Sequence, residues 1–158
     1  MDFESIYKAF APGVFRVCMG YSNDADQAKD LMQETFIAVW QNLGSFRGES
    51  NISTWIFRIA TNNCLKELKK SEKNKRINLP DDLPHIADES NEQALNFLHQ
   101  CIAELEATEK IIISLVLEDL PQSEIASIIG LSDGNTRVKI HRIKEKLSKK
   151  FKAHGQFR

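Results

Sequence analysis

The sequence predicts an all-α fold: two small helical domains joined by a linker, the C-terminal one containing a helix-turn-helix. Three observations lead there. Apolar residues recur at helical spacing through most of the 158 residues, with no sustained alternating run and no Asn-Gly or Asp-Gly hairpin between apolar segments. The periodicity lapses between Ser71 and Asn91, where Pro80, Pro84 and the paired Asp81-Asp82 stand among few large hydrophobes. Near the C-terminus, Gly130-Leu131-Ser132 separates a short apolar helix from a long cationic one.

Helices are expected at 3–20, 25–43, 53–73, 92–106, 108–119, 121–129 and 133–151, which gives a domain over 1–72, a linker over 73–91 and a domain over 92–158. Ten of the thirteen aromatics precede residue 58, so the first domain draws most of its core from them. In the helix over 25–43, Met32, Phe36, Val39, Trp40 and Leu43 make one apolar face. The other side carries Asp26, Asp30, Gln33, Glu34 and Gln41. Acid and amide groups do not attract phosphate, so this patch suits a basic protein partner.

After the polar loop 44–50, Ser53 or a near neighbour is placed to cap a helix starting at Thr54. At helical spacing Trp55, Arg58, Asn62, Lys66, Lys69 and Lys73 share one side. Cations there hold phosphates, and the aromatic stacks on unpaired bases.

In the second domain, Ile125, Ala126, Ile128 and Ile129 give the short helix its apolar face, Gly130 stops it, and Ser132 caps the next. Thr136, Ile140, Ile143, Leu147 and Phe151 form one stripe of that last helix. Asn135, Val138, Lys139, Arg142, Lys146 and Lys149 are left on the opposite side. A helix held by one face and cationic on the other is shaped to enter a DNA groove.

The net charge of −1 conceals a segregation: −3 over 1–50, +5 over 51–77, −8 over 78–109, −2 over 110–132 and +7 over 133–158. Two basic patches flanking an acidic stretch imply two separate contacts with a polyanion. No apolar run reaches membrane-spanning length, and the N-terminus lacks the basic start and apolar block of a signal peptide. Cys18, Cys64 and Cys101 lie far apart within apolar patterns and read as small core residues in a reducing cytoplasm. His85, His99, His141 and His154 show no ligand spacing, and no nucleophile motif or phosphate-cradling glycine loop is present. An enzyme, a metal site, a cofactor or a small-molecule substrate is therefore not expected. From the residues alone two readings stay open: an independent helix-turn-helix regulator, which leaves 25–70 unexplained, and a bipartite DNA reader that also docks on a protein.

The run Asp30-Leu31-Met32-Gln33-Glu34-Thr35-Phe36, then Trp40, Phe46-Arg47-Gly48 and Ser53 through Asn62, resembles region 2 of the sigma-70 family. The segment Leu120 to Leu147, with Glu124-Ile125-Ala126, Gly130, Ser132 and Val138-Lys139-Ile140-His141-Arg142, resembles region 4 of its small extracytoplasmic-function (ECF) subgroup. The order and spacing extend over nearly the whole chain. The resemblance implies a sigma factor that binds core RNA polymerase, directs it to promoter DNA and promotes strand opening. It assigns Asp30, Gln33 and Glu34 to the β′ clamp helices, with the β flap as a further polymerase contact. It assigns Phe46, Ser50, Asn51, Ile52, Ser53 and Thr54 to the loop that holds a base turned out of the −10 element, and Trp55, Arg58, Asn62 and Lys66 to the melted strand. Asn135, Arg137, Val138, Lys139, Arg142 and Lys146 are assigned to the −35 element. The linker threads through a cationic path of the polymerase in such proteins, and an anti-sigma factor is the further partner implied.

Overall fold

The computed structural model describes residues 2–73 and 91–154, with side chains described over 2–71 and 95–153. These residues form seven helices and no strand: α1 (Phe3–Ser22), α2 (Ala25–Asn42), α3 (Ile52–Lys73), α4 (Asn91–Ala103), α5 (Ala107–Leu117), α6 (Gln122–Ile129) and α7 (Asp133–His154). A single 3-10 turn, Leu43–Ser45, follows α2. The linker expected over 73–91 falls on residues outside the described set, except for its two ends.

Local chemistry explains the boundaries. The Asp2 carboxylate accepts from the Ser5 amide at 2.9 Å, and that of Asp24 accepts from the Asp26 amide at 3.0 Å, so α1 and α2 start on side-chain caps. Glu106 and Glu109 form a reciprocal capping box at the start of α5. Gly130, at φ 77°, closes α6 with its amide on the Ala126 carbonyl, a left-handed position that suits glycine. The Ser132 hydroxyl accepts from the Asn135 amide at 3.1 Å and starts α7, as expected. At α3 the expected cap and start shift by two residues. The helix begins at Ile52, so Ser53 lies inside its first turn, and the Asn51 carbonyl accepts from the Trp55 amide.

Two apolar clusters hold the molecule. The first joins α1, α2 and α3 through Ile6, Val14, Val17, Leu31, Phe36, Val39, Ile56 and Phe57, and it also takes in Ile111 and Leu115 from α5 and Ile125 and Ile128 from α6. The second joins α4, α5 and α7 through Cys101, Ile102, Ile112, Ile113, Ile143 and Leu147. The α5 helix lies between the two cores and turns Ile111 and Leu115 to the first and Ile112 and Ile113 to the second. The N-terminal and C-terminal halves therefore pack on one another. A large aliphatic side chain taken fully out of water contributes roughly 1.5–3 kcal/mol, against about 0–1 kcal/mol for an exposed ion pair. The shared core thus supplies the adhesion, and polar bridges across it set the register. All three cysteines are buried.

One helix face differs from the reading of the sequence. The sequence pattern puts Trp40 on the apolar face of α2, yet it is 65% exposed. The inner face is centred on Ala28, Leu31, Thr35 and Val39, with the Thr35 hydroxyl donating to the Leu31 carbonyl at 2.7 Å. Trp40 lies roughly 140° round the helix from Thr35 at 3.6 residues per turn.

Candidate nucleic-acid interface

The loop between α2 and α3 folds back so that Phe46 packs on Trp55, with ring centroids 4.9 Å apart. Beside them is a cleft of about 430 Å³ lined by Ser45, Phe46, Arg47, Glu49, Ser50, Trp55, Arg58 and Ser127. Its mix of aromatic, hydroxyl and guanidinium groups is suited to a base with its phosphate. Within the expected residues, Phe46, Ser50, Trp55 and Arg58 line the cleft, whereas Asn51 is exposed and is not part of its lining. Thr54 is only 4% exposed and faces inward, while Ile52 is partly buried against the core. Ser53 is half-buried. Further along α3, Asn62, Lys66 and Lys69 are exposed on the side that Trp55 begins. The Lys73 side chain lies outside the described set.

Three side chains on this half are tied to the other half. The Arg58 guanidinium donates to the Ser127 hydroxyl at 2.6 Å and to its carbonyl at 3.3 Å. The Asn51 amide donates to the Glu124 carboxylate at 2.6 Å. Arg16 holds Glu118 in a bidentate pair at 2.6 and 2.7 Å, and this hydrogen bonding keeps the guanidinium above its ordinary pKa. Reading the sequence missed Ser127, Glu124 and Arg16 because each is an ordinary exposed polar residue within its own helix. Only the packing of the halves gives them partners.

The second basic surface is the outer side of α7. Asn135, Arg137, Val138, Lys139 and Arg142 are all exposed, while Thr136, Ile143 and Leu147 are buried beneath them. The Gln122 amide donates to the Asp133 carbonyl at 3.3 Å and joins α6 to the start of α7. Lys146 is half exposed, with its ammonium paired with Glu109 on α5 at 2.8 Å. Burial pushes the Glu109 carboxyl up, but Lys146, the Glu106 amide and the charge of Lys139 together outweigh it and hold the group below the usual carboxylate range.

The third surface is on α2. Asp30, Gln33 and Glu34 are exposed side by side. Gln33 also borders an apolar groove of about 350 Å³ walled by Phe3, Tyr7, Phe36, Ile37 and Trp40. The rings of Phe3 and Trp40 meet edge-on at 5.1 Å, and those of Tyr7 and Phe36 at 4.9 Å. Ile37 is 56% exposed beside them. The sequence holds a signal for this groove, since Ile37 and Trp40 both fall off the stripe centred on Thr35. Among the described residues, no cluster of His, Cys, Asp or Glu has the makings of a metal site, and no helix is long and apolar enough to cross a membrane.

Comparison with known proteins covers both halves. Residues 6–74 match the family described as Sigma-70 region 2, and residues 97–147 match Sigma-70, region 4. The ECF RNA polymerase sigma factor RpoE of Cereibacter sphaeroides is 32% identical, over 87% of this chain and 80% of its own. The ECF RNA polymerase sigma factor SigW of Bacillus subtilis is 26% identical, over 95% of this chain and 89% of its own. Among solved structures, the sigma factor RpoE from Bartonella quintana, crystallised with the anti-sigma factor NepR, has the same fold. Its TM-score is 0.82 at 22% identity, covering 96% of this chain and 97% of that one.

Proposed function

Because this chain belongs to the sigma-70 family, as an ECF-type RNA polymerase sigma factor acting in transcription initiation, we propose that its three exposed surfaces divide that work. The acid and amide face of α2, Asp30, Gln33 and Glu34, docks on the β′ clamp helices of core polymerase. The adjoining groove at Ile37 and Trp40 gives that face an apolar centre of the kind that carries binding energy at protein interfaces. The β flap is the contact for the C-terminal half. The Phe46–Trp55 cleft takes a base turned out of the −10 element, and Arg58, Asn62 and Lys66 follow the strand. Extracting a base costs a few kcal/mol, which a stacking aromatic and several phosphate contacts offset. The α7 face reads the −35 duplex through Asn135, Arg137, Val138, Lys139 and Arg142. An anti-sigma factor is the regulatory partner proposed, and the cytoplasm is where the chain works.

The observation that carries this reading is the separation of charge between exposed faces, carboxylates and amides on α2 against cations on α3 and α7. The test is complex formation with purified core polymerase on gel filtration, followed by run-off transcription from candidate promoters. A chain that forms no complex with core overturns the proposal. An independent operator-binding regulator instead predicts dimers on symmetric sites.

A further inference from the structure

One large apolar side chain of α7 is left out of both cores. Val138 is 46% exposed, and among the described residues of α7 it is the one large hydrophobic turned to solvent. At 3.6 residues per turn it lies roughly 140–180° round the helix from Thr136, Ile140, Ile143 and Leu147, at the crest of the outer face. The stability of the helix gives no reason for valine there. A β-branched side chain is a weaker helix former than Ala, Leu, Gln or Lys, and neither apolar cluster includes Val138.

Its surroundings are polar and cationic. Asn135 and Arg142 are its neighbours one turn before and one turn after, Lys139 stands beside it, and all three are exposed. Glu145, the one acid between Gly134 and His154, lies 3.1 Å from the His141 imidazole. An apolar contact set among cations and an amide fits a polyanion that carries an apolar group of its own. Duplex DNA presents one such group in its major groove, the C5-methyl of thymine, and no other base has it. Cytosine would turn its N4 amino group to the valine and leave that donor without an acceptor.

We propose that Val138 is a thymine reader: its methyl groups pack on the C5-methyl of one thymine in the −35 duplex, while Lys139 and Arg142 hold the groove beside it. This rests on the reading of α7 as the −35 surface and fixes what one position of that element must be. Val138 and Arg142 are about 6 Å apart along the helix axis. Base pairs stack about 3.4 Å apart, so the thymine falls within about two base pairs of the Arg142 contact.

The experiment selects duplexes with the full chain from a fluorescein-labelled, randomised pool and measures the winners by anisotropy. Each thymine of the selected sequence is then replaced singly by deoxyuridine, which removes the methyl and leaves every groove donor and acceptor in place. Losing the methyl contact is expected to weaken binding about fourfold at one position, with little change at the others. Val138→Gln should abolish that difference between thymine and deoxyuridine, while glutamine, the better helix former, keeps α7 intact. Equal binding of the thymine and deoxyuridine duplexes at every position overturns the inference, as does a difference that survives in Val138→Gln. Arg142→Ala separates the inference from the reading it rests on. If Arg142→Ala weakens duplex binding but no thymine is methyl-sensitive, α7 remains the duplex surface and Val138 reads nothing there. A pool from which no sequence emerges overturns both. Should Val138→Gln lose core polymerase while no thymine is methyl-sensitive, the side chain belongs to a protein contact and the inference falls.

Discussion

At the scale of single residues, the clearest disagreement between side chain and surroundings is Thr61. It is buried at the α3 core, and its hydroxyl is the one described buried side-chain oxygen or nitrogen without a hydrogen-bond partner. A buried hydroxyl left unpaired costs about 1–3 kcal/mol. Thr61→Val keeps the shape and removes the polar atom, so it should stabilise the fold by roughly 1 kcal/mol and raise Tm by about 2–4 °C in a chain of this size. A lower Tm in a calorimetric melt would mean that the hydroxyl is satisfied in solution. Two surface residues test the division of labour. Arg142→Ala should weaken duplex binding by about 1–3 kcal/mol if it makes a bidentate base contact, and it should leave polymerase binding intact. Glu34→Lys should do the reverse, and equal loss of duplex binding from both would merge the two surfaces. Sequence reading found the chemistry of such residues from their types and spacing. It placed Thr54 among the base contacts because a hydroxyl in a polar loop looks available, and only the depth of the α3 first turn shows that it faces inward.

At the scale of helices, the ends were legible because they are local. Ser132, Gly130 and the break after Asn42 act within four residues of themselves, where cap chemistry decides the outcome. Faces were less legible. The stripe of α2 was centred on its largest hydrophobes, but Ala28 and Thr35 hold the middle of the buried side, because small residues let α2 approach its neighbours and Thr35 satisfies its own hydroxyl. Trp40 is left to line an exposed groove. The pairing of Glu109 with Lys146, between α5 and α7, makes a pH-dependent prediction. The folded-state pKa of Glu109 is depressed, so its stabilising contribution is present above the ordinary carboxylate pKa and is lost as pH falls through the lowered value. Glu109→Gln should therefore lower Tm at neutral pH and match the parent in strong acid. High salt should shrink the difference, because the Lys146 side chain is half exposed. A Tm difference that persists unchanged in acid would assign the effect to the capping box in place of the ion pair.

At the scale of the whole molecule, a net charge of −1 says little about DNA binding, because what counts is which charges the packing leaves facing outward. Periodicity separates the two halves and has no bearing on how they meet, since the contacts between them join residues about seventy to a hundred positions apart. Once they meet, Glu118 and Glu124 face cationic and amide groups of the first half, and Glu109 holds Lys146. The exposed α7 cations include Arg137, Lys139, Arg142, Lys144, Lys149 and Lys152, and the first three lie on the face proposed to read the −35 duplex. Each phosphate neutralised on duplex DNA adds about −0.9 to the slope of log K against log salt. Three such contacts set an expected slope of about −2.7 for the free chain on random duplex. Arg142→Ala should make that slope shallower by about 0.9, whereas Lys146→Ala should leave it nearly unchanged, because the ammonium already lies against a carboxylate. Anisotropy titrations over a potassium chloride series measure all three chains. If Lys146→Ala lowers the slope as much as Arg142→Ala, the ammonium leaves Glu109 for a phosphate when DNA arrives, and the reading surface extends one turn further along α7.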